Sequence, residues 1–366
     1  MPKFSIRPLA ITQELLSWYK RFQRELPWRK TKDPYKIWIS EIMLQQTQVE
    51  TVKPYYGRFL KKFPTVKKLA NAPLDEVLKV WEGLGYYARA RHLHQAAQGI
   101  LSEHQGKIPC NRAELLRLPG IGRYTVGAIL SIAYGQDEPA LDGNLQRVLC
   151  RLFNIDKDPK LGVTQKKLWQ LARDLLPLGQ AGLFNQALMD LGATICIPGE
   201  PRCLICPLMH LCEARRVGRQ SLLPVKSIKR SLPHYDVAVG IVHKSGKILI
   251  TRRPEKGLLW GLWEFPGGKR KIKESLKVCV KREIKEEVGI EIEVEAPLVI
   301  VRHAYSHFRV TLHAFHCRFV KGRARALGCS DWAWIDLSEI DQYAFPSANH
   351  KILAALQKAI PKSASG

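Results

Sequence analysis

The chain has 366 residues, of which 46% are hydrophobic and 25% charged, and its formal net charge is +25. At roughly 150 residues per domain, this length predicts two or three domains with the balance of a globular protein. The charge excludes an acidic, halophile-like protein. Because Lys and Arg release counterions when they neutralise phosphates, the positive excess suggests a polyanionic partner.

The cysteines and the apolar runs indicate the compartment. Nine cysteines, an odd number, argue against a disulfide framework. The longest apolar runs, such as residues 125–134, are far below the roughly 20 residues that a bilayer requires, and the first ten residues are too short for a secretory signal. We therefore expect an intracellular protein without membrane association. The compact length without a targeting extension suggests a prokaryote, and we expect a monomer in its cytoplasm, associated with the nucleoid.

The N-terminal part of the chain predicts helices. Between residues 12 and 190, apolar residues recur at three- and four-residue spacing, and prolines punctuate the pattern. Residues 213–232 are basic and lack a sustained apolar period, which predicts an interdomain linker. We expect a mainly α-helical domain over residues 1–212.

The pattern changes after the linker. Two β-rich runs flank Ser245-Gly246 and predict a hairpin. Helical patterns follow, one ending at Gly289 and another over residues 347–360. These elements predict a smaller α+β domain over residues 233–366.

Four cysteines lie in one short segment, spaced Cys196-x6-Cys203-x2-Cys206-x5-Cys212. Four thiolates in a loop-rich segment can enclose one metal centre. The cysteine count alone does not choose between zinc and an iron–sulfur cluster. Four unrelated buried cysteines are the alternative.

A glycine-containing turn, Leu118-Pro-Gly-Ile-Gly122, lies between two helical stretches. Its glycines allow close backbone approach, and amides at the start of the next helix can face a phosphate. A helix–helix turn with no ligand is the alternative.

Asp142 lies twenty residues beyond Gly122 and precedes another helical pattern, so it is either a plain N-cap or a carboxylate that faces a positive charge.

These motifs, in this order, resemble those of the endonuclease-III-like helix-hairpin-helix DNA glycosylases, and the cysteine spacing is similar to their [4Fe–4S] loop. Nearly the whole chain resembles the MutY-type adenine DNA glycosylase family. The resemblance implies a helical glycosylase domain with a helix-hairpin-helix and a [4Fe–4S] cluster, followed by a Nudix-like domain that recognises 8-oxoguanine. The implied partner is double-stranded DNA with 8-oxoguanine:adenine or guanine:adenine mispairs.

The resemblance also implies catalytic roles. Glu41 matches the acid that protonates adenine N7 and later helps to activate water, a role that suits a shielded carboxyl with a raised pKa; an exposed helix Glu is the alternative. Asp142 matches the carboxylate that stabilises the oxocarbenium-like sugar. Tyr124 and Asn144 match residues that orient Asp142 and the sugar. Because bifunctional relatives carry a nucleophilic Lys where this chain has Tyr124, we predict a monofunctional glycosylase.

Further residues match positions that bind the extruded base or the DNA. Those that match the adenine pocket are Arg24, Leu26, Trp28, Arg29, Leu44, Val49 and Gln186. Those that match DNA or 8-oxoguanine contacts are Gln46, Thr47, Leu84, Tyr86, Gly120, Gly122, Ser306 and His307. For the aliphatic and aromatic members, ordinary helix packing is the alternative.

The second domain departs from the family pattern because it carries a complete Nudix box over residues 268–290. Glu283 and Glu287 are four apart on one helix face, with Glu286 adjacent, which suits Mg²⁺. This favours, as an alternative function, a bifunctional protein that also hydrolyses oxidised nucleotides. A solvated acidic helix kept from an ancestral hydrolase is the other interpretation. A third hypothesis, a non-catalytic iron–sulfur DNA-binding protein, is disfavoured by Glu41 and Asp142.

Overall fold

The computed structural model describes residues 8–225, 231–255 and 257–359. They form two compact units. The first contains residues 8–71 and 92–225, and the second contains residues 72–91 together with the described residues from 231 onward. Within the described ranges, no helix combines the length and the apolar character needed to cross a bilayer.

The helical prediction for the N-terminal part is confirmed. The α-helices of the described chain are α1 (Pro8–Phe22), α2 (Pro34–Leu44), α3 (Val49–Lys62), α4 (Val66–Ala70), α5 (Leu74–Trp81), α6 (Ala88–His104), α7 (Arg112–Arg117), α8 (Arg123–Ile132), α9 (Gly143–Leu152), α10 (Gly162–Asp174), α11 (Ala181–Thr194), α12 (Glu213–Arg216), α13 (Leu276–Val288) and α14 (Ser347–Ala359). Short 3-10 helices lie at Pro27–Arg29, Cys203–Ile205, Met209–Leu211 and Leu337–Gln342.

A core of the first unit joins helices α1, α9, α10 and α11. Each contributes fully buried residues, among them Leu15, Leu145, Leu168 and Phe184. Their apolar faces follow the three- and four-residue spacing of the sequence, and burial of those faces is the main stabilising contribution to such helices.

Helix α11 approaches two neighbouring helices closely because it presents glycines to them. A Cβ on Gly182 would lie 2.5 Å from the carbonyl oxygen of Ser131 in α8. A Cβ on Gly192 would lie 2.8 Å from Cβ of Asn144 in α9. The α11 residues between these glycines are therefore held near the N-terminal end of α9.

The linker expected over residues 213–232 is ordered at its start. Residues 213–216 form α12, Ala214 and Leu223 are buried, and Arg151 Nε donates a hydrogen bond to the Leu223 carbonyl at 2.8 Å. Because the segment is basic overall, its few buried apolar residues were not recognised from the sequence. The linker therefore begins later in the chain than predicted. Residues 226–230 of the expected linker lie outside the described residues.

The second unit contains a seven-stranded sheet. Its strands are β1 (His234–Lys244), β2 (Lys247–Arg252), β3 (Trp263–Glu264), β4 (Gly267–Lys269), β5 (Glu291–Ala304), β6 (Arg309–Lys321) and β7 (Asp331–Ile335). The order is β3-β2-β1-β6-β5, with β4 paired to β1 and β7 to β2. Strands β1 and β6 are parallel and the other pairs are antiparallel. The expected α+β class is confirmed.

Each face of the sheet carries a helix. Helix α13 packs Val280 and Ile284 into a cluster on one face, and α14 packs Ile352 and Leu356 into a cluster on the other. The sheet therefore alternates its buried side chains between two cores, as a strand period of two requires.

Two predicted chain reversals are confirmed in this unit. The β1–β2 hairpin turns at Ser245 and Gly246, both with positive φ, the conformation of a type I′ turn. Helix α13 ends at Gly289, whose φ of 73° is left-handed.

The segment 72–91 belongs to the second unit, although the sequence analysis placed it in the first domain. Lys79 Nζ donates to the Tyr343 carbonyl at 3.0 Å, and the Tyr87 hydroxyl donates to the Phe345 carbonyl at 3.1 Å. These partners lie more than 250 residues away along the chain, so local periodicity carried no sign of them.

Candidate active site

A cavity of about 980 Å³ lies in the first unit. Its wall combines the 3-10 turn Pro27–Arg29 with parts of α2, α8, α9 and α11. All the residues predicted as catalytic or as adenine-pocket lining contribute to the wall: Arg24, Leu26, Trp28, Arg29, Glu41, Leu44, Val49, Tyr124, Asp142, Asn144 and Gln186. Gln46, Thr47, Gly120 and Gly122 line it as well.

Glu41 is a buried acid at this cavity. Only 4% of the residue is exposed, and the apolar residues around it on α2 explain the burial. Burial raises the pKa of Glu41 to about 7, while the hydrogen bond from Tyr124 and the charge of Arg29 oppose the rise. The exposed-helix interpretation of Glu41 is therefore wrong.

Tyr124 contacts the acid directly. Its hydroxyl donates to Glu41 Oε2 at 2.5 Å, and the charge of Asp142 is among the causes that raise the pKa of the Tyr124 phenol. Its expected role in orienting Asp142 and the sugar stays a prediction. The two carboxylates also interact electrostatically, since Asp142 contributes to the raised pKa of Glu41.

Asp142 is both an N-cap and a cavity residue, so the two interpretations of it are compatible. Its carboxylate accepts hydrogen bonds from the Leu145 N–H of α9 at 2.7 Å and from Asn144 Nδ2 at 3.0 Å. Burial raises its pKa, but these two donors and the charge of Arg147 favour the ionised form. The carboxylate is thereby fixed in orientation at the cavity wall.

One buried carboxylate beside the cavity was missed. Asp190, fully buried on α11, accepts hydrogen bonds from Arg24 Nε at 2.6 Å and from Arg29 Nη2 at 2.7 Å. In the sequence it is one Asp in a helix otherwise rich in apolar residues. The signal that could have found it was the presence of unpaired basic residues in the predicted pocket.

In the glycine turn before α8, the backbone conformation and the nearby side chains require a glycine at position 120 but not at position 122. Gly120 has a φ of 76°, and a Cβ there would lie 2.8 Å from Cβ of His92. Gly122, the N-cap of α8, has a φ of −93° and open space where a Cβ would lie. The geometry of Gly122 thus leaves room for a ligand to approach the helix N-terminus.

Two of the predicted DNA contacts have left-handed backbones. Gln46 has a φ of 57° and Tyr86 a φ of 48°; such conformations are costly for residues other than glycine and concentrate at functional sites. In the second unit, Tyr86 is 44% exposed and its hydroxyl accepts a hydrogen bond from Ser306 Oγ at 3.2 Å. Leu84 is only 4% exposed, which fits packing better than a DNA contact.

The loop between β5 and β6 divides its side chains between two environments. Ser306 and His307 are exposed, while Tyr305 and Phe308 line a cavity of about 570 Å³ in the second unit. The Tyr305 N–H donates to the Phe308 carbonyl at 2.8 Å and closes the turn. Ser306 and His307 are thus presented outward.

The Nudix glutamates are held by protein groups. Arg282 pairs with Glu283 at 2.7 Å and with Glu286 at 2.9 Å. Glu287 accepts from the Gly267 N–H at 3.1 Å, and burial raises its pKa to about 7. Each of the three carboxylates thus has at least one oxygen engaged by a protein group.

The four clustered cysteines line one small cavity of about 30 Å³. Arg151, 2% exposed, donates to Cys196 Sγ at 3.4 Å. In the part of the chain that the structure describes, no three His, Cys, Asp or Glu side chains are arranged to hold a single metal ion. Four thiols around one void are a donor set that either a zinc ion or an iron–sulfur cluster can use.

The sequence matches known families over both units. Residues 39–174 match the HhH-GPD superfamily of base excision DNA repair proteins, and residues 237–355 match the NUDIX domain. The chain is 35% identical to an adenine DNA glycosylase of Homo sapiens, covering 98% of this chain and 76% of that protein. It is also 35% identical to an adenine DNA glycosylase of Buchnera aphidicola subsp. Acyrthosiphon pisum, covering 95% of this chain and 98% of that protein.

Among solved structures, a thermostable thymine-DNA glycosylase is 34% identical, with a TM-score of 0.54 over 57% of this chain and 97% of that chain. Fold, cavity and matches together define a helix-hairpin-helix base-excision DNA repair protein with a C-terminal Nudix domain. More narrowly, the chain belongs to the adenine DNA glycosylase family.

Proposed function

We propose that this protein is a base-excision repair adenine DNA glycosylase that hydrolyses the N-glycosidic bond of adenine mispaired with 8-oxoguanine or guanine. The observation that carries the proposal is the meeting of Glu41 and Asp142 at one cavity. Its volume of about 980 Å³ suits an extruded nucleotide. The adenine DNA glycosylases among the relatives support adenine as the base.

The two carboxyl groups suit the two halves of the reaction. Glu41, whose raised pKa of about 7 keeps a substantial protonated fraction near neutral pH, transfers its proton to adenine N7, and the electron pair of the C1′–N9 bond leaves with the base. The Asp142 carboxylate faces the positive charge that develops on the sugar. Water then attacks C1′ and returns a proton to Glu41, which leaves an abasic site and free adenine.

Tyr124 supports a monofunctional reaction. A bifunctional enzyme needs an amine near C1′ to form a Schiff base, and the hairpin position holds a phenol whose proton is donated to Glu41. This hydrogen bond also selects one oxygen of the acid, so the other oxygen is left to carry the transferable proton.

Adenine release by the Glu41→Gln variant tests the proposal. In single-turnover reactions on a duplex with adenine opposite 8-oxoguanine, we expect the rate constant to fall roughly 10²- to 10⁴-fold, because a neutral amide is too weak an acid to protonate the base. The native protein should also act on adenine opposite guanine and leave adenine opposite thymine intact. Strands should break only after alkali treatment, since hydrolysis leaves an abasic site.

Glu50→Gln is the matched control, because Glu50 lines the edge of the same cavity but its side chain is 79% exposed. It should keep the native rate constant. Native activity in Glu41→Gln, or strand cleavage without alkali, would contradict the assignment of roles.

Recognition of 8-oxoguanine is proposed for residues of both units, each on its own evidence. In the second unit, the exposed Tyr86, its hydrogen-bond partner Ser306, and His307 form an outward-facing group. In the first unit, the left-handed Gln46 lines the cavity. The packing of Leu84 does not support the lesion contact predicted for it.

We propose that Cys196, Cys203, Cys206 and Cys212 hold a [4Fe–4S] cluster. Their common void and the buried Arg151 fit an anionic group with thiolate ligands. When bound, the cluster joins four points of a loop that is poor in regular structure and so stabilises it. We assign it no step in base removal.

Iron and acid-labile sulfide analysis of Cys203→Ala tests the cluster. We expect the native protein to contain both elements and the variant to lose most of them, with a lower midpoint of thermal unfolding. Cys110→Ser, at an exposed cysteine outside the segment, should retain them. Zinc without sulfide in the native protein would contradict the assignment.

Nucleotide hydrolysis through the Nudix box is not favoured, because the relatives that match most of the chain are adenine DNA glycosylases. The monomeric state and the location at a prokaryotic nucleoid stay predictions from the sequence.

A further inference from the structure

The carboxylate of Asp190 joins two arginines of the cavity wall. It accepts hydrogen bonds from the main-chain N–H of Arg24 at 3.0 Å and from Arg24 Nε at 2.6 Å. It also accepts from both terminal nitrogens of Arg29, in the two-pronged arrangement that suits a carboxylate and a guanidinium. Its side chain is 0% exposed, so it does not form part of the solvent-accessible wall.

This network is charged and held from several elements. Burial alone would raise the pKa of Asp190, but the hydrogen bonds and charges of Arg29 and Arg24 lower it below its usual value. The Arg29 guanidinium donates in addition to the Arg24 carbonyl at 3.2 Å and lies 5.4 Å from the ring centroid of Tyr19. Few orientations of Arg29 satisfy these partners together.

The network extends to the acid. Arg29 is close enough to Glu41 for its charge to lower the pKa of that carboxyl. The net positive charge that Glu41 experiences from this side therefore depends on whether a carboxylate balances Arg29. Helix α11 also carries Gln186, one turn before Asp190 and on the same face, into the cavity wall.

We propose that Asp190 is a positioning residue of this site, which fixes Arg24 and Arg29 for the bound base and balances the charge that Arg29 exerts on Glu41. The inference rests on the proposed function, because it assigns Asp190 a part in adenine release. Asp190 contacts neither the base nor the sugar and acts through the arginines alone.

The Asp190→Asn variant keeps the size of the side chain and removes its charge. With enzyme in saturating excess over an adenine:8-oxoguanine duplex, we expect the rate constant to fall roughly 10- to 100-fold, because the arginines lose their fixed geometry. The basic limb of the pH–rate profile should shift to lower pH, since unbalanced positive charge favours the ionised form of Glu41. Merely structural damage would reduce the reacting fraction and leave the midpoint of that limb unchanged.

Asp190→Glu is the second variant, and it also covers the case in which Asp190→Asn fails to fold. It keeps the charge and moves the carboxylate, so the rate constant should fall while the midpoint of the basic limb stays native. Glu138→Gln is the control: Glu138 pairs with Arg112 at 2.6 Å and does not line the cavity. This variant should have the native rate constant and the native midpoint of the basic limb.

The outcomes separate this inference from the proposed function. If the native protein and the control release adenine and either Asp190 variant matches them in rate constant and midpoint, the role of Asp190 is overturned while the proposed function stands. If the native protein releases no adenine, the proposed function itself is overturned.

Discussion

Glu41 occupies a position at which the charged form of a carboxyl is unfavourable in the folded chain. Its oxygen accepts one hydrogen bond, from Tyr124, and the rest of its surroundings are buried. The burial that holds a transferable proton at neutral pH therefore opposes folding whenever that proton is lost. In the proposed reaction, the acid therefore acts at a cost in stability.

Glu41→Gln is accordingly expected to stabilise the protein in alkaline solution. Because burial raises the pKa from 4.5 to about 7, the unfolded chain releases this proton first, and the native fold loses up to about 3 kcal/mol of stability as pH rises through that interval. The amide does not titrate. The midpoint of thermal unfolding should therefore fall less between pH 5 and pH 8 for the variant than for the native protein.

Glu50→Gln serves again as the control and should follow the native protein at both pH values. If the unfolding midpoints of the native protein and Glu41→Gln fell equally between the two pH values, Glu41 would be ionised at little cost in stability. The physical reason for assigning it as the acid would then be removed.

At the scale of the element, the N-termini of α8 and α9 both line the cavity but are capped differently. Asp142 caps α9 with its own side chain, so its carboxylate gains from the partial positive charge of the helix end. Helix α8 begins at Gly122 without any side-chain cap. Its first amides thus stay available, as a DNA phosphate would require.

Gly122→Asp should weaken DNA binding without loss of stability. Asp is a favourable N-cap, and nothing lies within 4 Å of a Cβ at this position, but its charge repels a phosphate. We expect affinity for duplex DNA to fall roughly tenfold at low salt, measured by fluorescence anisotropy with a labelled duplex.

Gly122→Asn is the matched neutral control and should bind DNA more tightly than the Asp variant with a similar thermal unfolding midpoint. Gly120→Ala should instead unfold at lower temperature, since its backbone is left-handed and its Cβ would press on His92. Equal affinities of the Asp and Asn variants would exclude a phosphate at the start of α8.

At the scale of the whole molecule, the net charge of +25 predicts an electrostatic mode of DNA binding. The logarithm of the affinity should fall linearly with the logarithm of salt concentration, with a slope of about −0.9 per neutralised phosphate. The preference for a lesion-containing duplex should persist, because base contacts produce it. Titrations from low to physiological salt on lesion and undamaged duplexes measure both, and a salt-insensitive affinity would contradict the expectation.

Much of this architecture was predictable because its signals are local. The Ser245-Gly246 turn and the helix end at Gly289 follow from backbone conformations that few residues adopt. The predicted catalytic and adenine-pocket residues line one cavity because they were carried over from a family with the same fold.

What was not predictable depends on contacts between distant positions. Asp190 pairs with residues 166 and 161 positions away, so its own helix gives no indication of its partners. The Tyr124–Glu41 hydrogen bond spans 83 positions. Residues 72–91 continue a helical pattern, yet their hydrogen bonds place them in the second unit.

The bare backbone of Gly192 has a consequence for how the enzyme can be damaged. Asn144, whose Cβ lies 2.8 Å from where a methyl group at position 192 would sit, is the residue that holds Asp142 through its amide. A single added carbon would thus displace Asn144 and, through it, the Asp142 carboxylate at the cavity wall. Loss-of-function substitutions in this protein will include a position that has no functional group and no access to substrate.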